Sequence, residues 1–145
     1  MSASTGQESA APSADFAGGT IVDVAELELL HEPVAREQDG GGHPTIGAVG
    51  LGSLGGTDFG VWEMSTGTMF DVEAEEIFVV IAGRGHVVIE PSGSLAGQRV
   101  ELGPGTLMRL SEGMKTVWTI TETLRKVYVT PSCPSGHTPS EGTQP

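Results

Sequence analysis

The sequence predicts an all-β protein, a barrel or sandwich of short strands. Three observations carry this. The chain is rich in turn formers, with 22 Gly and 9 Pro among 145 residues. From Thr45 onward, short runs containing Val, Ile, Thr or an aromatic residue follow one another. Glycine turns separate most of them: Gly55-Gly56, Gly83-Arg84-Gly85, Pro91-Ser92-Gly93, Gly103-Pro104-Gly105 and Ser111-Glu112-Gly113. Many short strands at regular spacing fit a closed or stacked antiparallel sheet. The length suits one domain with one core.

Taken in order, residues 1–18 are small and polar. They bury too little surface to offset the entropy of ordering, so a mobile tail is expected. Ile21–Leu30 is ambiguous. Ile21, Val24, Leu27 and Leu30 recur every third residue, yet Val22–Val24 and Leu27–Leu29 alternate. A short strand leading into a helical turn reconciles the two. Arg36–Pro44 contains three consecutive glycines and is expected to be a flexible loop. The strands then expected are Thr45–Leu51, Asp58–Met64, Thr68–Asp71, Glu76–Ile81, His86–Glu90, Gln98–Leu102, Thr106–Leu110, Thr116–Ile120 and Leu124–Thr130. Residues 131–145 return to a polar, proline-rich composition and are expected to form a second tail. The folded unit is thus placed at 19–130.

Charge narrows the partners. The net charge is −12, with only 7 Lys and Arg, which argues against nucleic acid and against anionic membrane surfaces. The single cysteine, Cys133, excludes an intrachain disulfide and a multi-cysteine metal site. No apolar run is long enough to span a bilayer. The first residues lack the basic and apolar parts of a secretory signal, so a cytoplasmic location is expected.

The segment from Gly60 to Val129 carries a family pattern. Gly60-Val61-Trp62-Glu63 is followed by Gly67, then Glu75-Glu76, Gly83, Gly105, Gly113, Trp118 and the terminal Arg125-Lys126-Val127-Tyr128-Val129. In this order the set resembles a cupin, within the group called ethanolamine-utilisation-like or ureidoglycine-aminohydrolase-like. The resemblance implies a single-domain RmlC-like jelly-roll barrel of antiparallel strands. It also implies a homodimer with its site in the barrel mouth. The common cupin pattern places two histidines ahead of a glutamate, then a glycine, and a third histidine on a later strand. Glu76 and Gly83 match the glutamate and the glycine. The first two histidine places fall on Phe70 and Val72 in one register, or Met69 and Asp71 in another, and Thr116 stands at the third. The usual histidine metal site is therefore not expected, and no cofactor is called for.

Acidic residues remain. Asp71, Glu73, Glu75 and Glu76 crowd one segment. On an extended strand the first three share a face and Glu76 takes the other, unless a loop or bulge intervenes. Asp71 and Glu76, brought together, would form a carboxylate pair for acid/base work or a hard cation. A plain acidic rim that keeps the protein soluble is the simpler reading. Thr116, Trp118 and Ile120 should face one side, and Trp118 would floor a pocket if that side is the interior. As packing, Trp118 and Trp62 are simply core aromatics. His86 reads as scaffold or surface. Arg125 and Lys126 alternate across the last strand, and one of them is expected to pair with the acidic segment. The leading expectation is a cupin that recognises a small organic metabolite in its mouth, lined by Glu76, Thr116 and Trp118. The alternatives are an aminohydrolase- or lyase/isomerase-like enzyme using Glu76 and Asp71, and a structural or regulatory homodimer.

Overall fold

The computed structural model describes residues 16–132, and within them the chain is almost wholly antiparallel β. The strands are β1 (Glu32–Pro33), β2 (Asp39–Gly41), β3 (Thr45–Leu54), β4 (Thr57–Met64), β5 (Gly67–Val72), β6 (Glu76–Ile89), β7 (Gln98–Leu102), β8 (Leu107–Leu110) and β9 (Lys115–Pro131). Of the tails expected at 1–18 and 131–145, residues 1–15 and 133–145, with Cys133, lie outside the described residues. Phe16 and Ser132 do belong to the folded unit. The Phe16 ring stands edge-on to Phe59 at 5.2 Å between centroids, and the Ser132 amide donates to the Gly56 carbonyl.

β9 organises the sheet. Along one edge it pairs with β6 for nearly its full length. Along the other it pairs first with β5 and then with β4. β3 and β1 extend the sheet beyond β4, β2 extends it beyond β5, and β7 and β8 flank β6. Nine strands in this order form the curled antiparallel sheet of a barrel.

Two expected breaks between strands are absent because the strands run through them. Glu76–Ile81 and His86–Glu90 merge into β6, and Thr116–Ile120 and Leu124–Thr130 merge into β9. The Gly83-Arg84-Gly85 segment is a run of bulges against β9 rather than a turn. Gly83 has φ 95°, and a Cβ there would lie 2.5 Å from the Leu124 Cα, so glycine lets the two long strands lie close. The loop expected at Arg36–Pro44 is also more ordered. It contains a 3-10 turn, Arg36–Gln38, and then β2, whose Asp39 and Gly41 pair with Met69 and Thr68. Ile21–Leu30 forms neither the strand nor the helical turn expected. It is a strap with a tight turn at its centre, where Asp23 accepts the amides of Ala25 and Glu26 through its side chain and carbonyl. Val22, Val24, Leu27 and Leu29 are half-buried, while Ile21 and Leu30 remain exposed.

The core lies inside the curl. Trp62, Met64, Met69, Phe78, Val80, Val87, Ile89, Leu110, Trp118, Ile120 and Leu124 are buried there. In β9 the inward set is Thr116, Trp118, Ile120, then Leu124 and Lys126. The last is a lysine on the dry side of a barrel.

Candidate functional site

Lys126 is the feature the interior is built around. Its side chain is 3% exposed, and its Nζ lies 2.6 Å from Oε2 of Glu76, itself 5% exposed. Three rings surround the ammonium. Its Nζ is 4.2 Å from the Phe78 centroid, 4.5 Å from Trp62 and 4.9 Å from Trp118. These rings come from β6, β4 and β9, so the cage exists only once the sheet has curled. Glu76 Oε2 has no hydrogen bond of normal geometry despite the short approach. Charge and the π faces hold the ammonium, rather than directional hydrogen bonding.

Glu73 is the second buried carboxylate. Its Oε2 accepts the Thr116 hydroxyl at 2.6 Å and the Trp118 indole N–H at 2.9 Å. The alternation that would place Glu73 beside Glu75 fails because the chain leaves β5 at Val72 and re-enters the sheet at Glu76. The connection is tied to the turn between β8 and β9. The Glu73 amide donates to the Met114 carbonyl, and the Glu73 carbonyl accepts the Gly113 amide. Glu73 and Glu76 therefore both turn inward. Glu75 stays at the rim, paired with Arg109 and accepting the Glu112 amide. Sequence reasoning assigned Glu73 no site role and Lys126 only an ion pair. No spacing in the sequence marks Glu73, and only the connection geometry selects it.

Asp71 lies on β5 and is partly exposed. Its Oδ1 accepts the Val72 amide at 2.9 Å and lies 3.5 Å from the Gln38 side-chain amide. Burial, with the Glu73 charge next in importance, pushes its carboxyl up to about 7. Glu73 is raised too, chiefly by burial, against the opposing pull of Lys126, Thr116 and Trp118. Asp71 and Thr116 border a cleft of about 540 Å³ whose apolar side is Phe70, Val72 and Ala35, with Gln38 and Lys115 among its polar groups. At the level of Glu76, Tyr128 has its phenol pushed up to about 12 by burial, then by the charges of Glu76 and Asp58. Gly60 makes room for it: a Cβ there would lie 2.6 Å from the Tyr128 hydroxyl.

The sequence-derived residues thus divide. Asp71 and Thr116 border the cleft. Glu76 and Trp118 do not line it; both are buried, and Trp118 is 1% exposed, so it is closed from solvent in this conformation. Glu76 is bound to Lys126 rather than to Asp71, whose leading carboxylate neighbour is Glu73. His86 alternates away from the inward Val87 and Ile89 and stands opposite Glu101. His31 bridges Thr45 and Glu63 at 2.7 Å each, and His43 pairs with Asp39. Among the described residues, no three His, Cys, Asp or Glu side chains converge as metal ligands. Among the described residues, the interior carboxylates Glu73 and Glu76 and the Thr116 hydroxyl stand beside a fixed ammonium, which does not suit the imidazole-rich metal site of cupins.

The curled antiparallel barrel fits the class of cupin proteins. The particular family is the EutQ-like cupin domain, which matches residues 51–128, more than half of the chain, and the chain belongs to it. Among solved structures it is similar to the EutQ protein of Clostridium difficile, at 21% identity over 82% of this chain and 91% of that one, with a TM-score of 0.59. A DUF861-family protein from Pseudomonas syringae pv. tomato aligns at 19% identity over 72% of this chain and 44% of that one, TM-score 0.53. The Fe(II) form of HppE with its substrate aligns at 16% over 78% and 60%, TM-score 0.51. At such identities these likenesses concern the fold. No curated protein matches the chain by sequence. No helix among the described residues is long and apolar enough to cross a membrane.

Proposed function

We propose that this cupin binds a small organic molecule at its mouth, with Asp71 as the group that reads it. The observation that carries this is Asp71 itself. It is a partly exposed carboxyl on the wall of a cleft of about 540 Å³, pushed up to about 7 by burial and by Glu73. Near neutral pH such a group both donates and accepts hydrogen bonds, and Phe70 and Val72 offer apolar contact beside it. Thr116 links the cleft to the interior through its hydroxyl on Glu73. Glu76 and Trp118, both buried, do not line the cleft.

The enzymatic alternative keeps one supporting observation. Two carboxylates with raised titration, Asp71 and Glu73, adjoin, which is the arrangement a general acid/base needs. In that version Glu73 replaces Glu76 as the partner of Asp71, because Glu76 already neutralises Lys126. A homodimer remains an expectation from the family.

Thermal-shift measurements over a panel of small carboxylic acids, amides and polyols test the reading. At least one compound should raise the melting temperature of the wild type, and the effect should disappear in Asp71→Asn and weaken in Phe70→Ala. A panel that yields no Asp71-dependent shift counts against it. Turnover of a binding compound, lost in Asp71→Asn and Glu73→Gln, would move the assignment to the enzyme.

A further inference from the structure

The cupin pattern leads one to expect a metal cation facing the glutamate that Glu76 matches. The residues present do not suit one. Thr116 stands where the third histidine belongs, and the Lys126 ammonium already lies 2.6 Å from Glu76 Oε2. A divalent ion at the same carboxylate would meet direct repulsion from that ammonium at low dielectric. The side chains nearest the ammonium are of another kind. Trp62, Phe78 and Trp118 present their π faces from three strands, all within 4.9 Å. Aromatic faces with one carboxylate are the recognition chemistry of an organic ammonium.

We propose that Lys126 is the resident cation of this barrel, its ammonium taking the place that a metal holds in other cupins, so that the cage around Nζ is a built primary-ammonium site. Two features distinguish this from an ordinary buried ion pair. The cage gathers three rings, whereas a pair needs only its counter-ion. Glu76 Oε2 also lacks a hydrogen bond of normal geometry although it is buried. The ammonium is therefore held by field and shape. A site held that way should accept a free alkylammonium once the lysine stem is cut away. The inference does not depend on what the mouth binds.

The test uses the full chain with Lys126→Ala. Thermal unfolding is followed in sodium chloride and in methyl-, ethyl- and propylammonium chloride at equal ionic strength. The variant should melt well below the wild type and regain several degrees with an alkylammonium, saturably, while the wild type does not respond. The gain should vanish in Lys126→Ala/Glu76→Gln. Equal responses in wild type and variant would overturn the proposal. So would wild-type protein that takes up about one equivalent of Mn²⁺, Fe²⁺ or Zn²⁺ per chain and loses it in Glu76→Gln. Should Lys126→Ala yield no folded protein, Lys126→Met/Glu76→Gln decides. A folded, metal-free protein with this neutral pair supports charge matching as the role of Lys126, and failure of that pair to fold overturns it.

Discussion

Arg125 and Lys126 are neighbours in β9, yet they serve two unlike regions. Lys126 points inward to one carboxylate and three rings. Arg125 points outward. Its Nε donates to Glu63 at 2.9 Å and its Nη1 to the Val24 carbonyl at 2.8 Å, so it ties the strap at 21–31 to the sheet. Glu63 in turn holds His31. A Cβ at Gly47 would lie 2.6 Å from the Leu30 carbonyl, so the strap seats against bare backbone. The outer network is hydrogen-bonded at each end and touches water. The inner pair is dry and poorly aligned. Burying charge is costly, so the inner pair contributes through what its removal would leave behind rather than through its own net attraction.

The largest expected effect follows from that difference. Lys126→Ala strands Glu76 and Glu73 without their cation and should cost about 3–5 kcal/mol in urea unfolding. Arg125→Ala should cost less, about 1–3 kcal/mol, since water can reach the groups it leaves. Its signature should instead be local, with faster amide exchange across 21–31 and little change in the barrel. Equal losses for the two variants, or strap exchange unchanged in Arg125→Ala, would break the comparison.

The two regions should also respond to pH with opposite sign. Asp71 is raised from 3.8 to about 7 when folded. Between those values the folded state holds the extra proton, so Asp71 costs stability as pH rises through that window. Asp71→Asn should flatten that slope and gain about 1–2 kcal/mol at pH 8, less than the full shift implies because Asp71 is partly exposed. Glu63 goes the other way. Burial raises it, but the Arg125 and His31 hydrogen bonds outweigh burial and hold it below its usual 4.5. Its stabilisation is present above that value and is lost as pH falls through the lower folded one. Stability curves of Asp71→Asn and Glu63→Gln over pH 3–8 check both signs. The smallest effect is expected at the rim. Arg109→Ala removes an exposed ion pair with Glu75 and should leave the melting temperature unchanged within error. A clear loss there would mean that the rim, too, is part of the supporting network.

Most strands from Thr45 to Thr130 were legible because they are β-branched and bounded by turn residues, but β6 and β9 are long and each spans two of the expected strands. The errors fell where glycine has two uses. Gly83 and Gly85 read as a turn but allow close strand approach, and Gly41 and Gly42 read as flexibility but end a short paired strand. At the site, the inward alignment of Thr116 with Trp118 follows from period two within a continuous strand. The same rule failed across Asp71–Glu76, where the chain breaks between β5 and β6.

From its sequence alone the chain is an all-β cupin without the family's histidines, because turn chemistry, alternation and residue identity are local properties. Which charges are buried together was decided by the tertiary structure. Lys126 meets Glu76 only because β6 pairs along β9, and its third ring arrives from β4 on the opposite edge. Glu73 turns inward only because its backbone is fastened to the turn that precedes β9. Burial and electrostatics depend on distances between residues far apart in the chain, and those distances exist only once the sheet has curled.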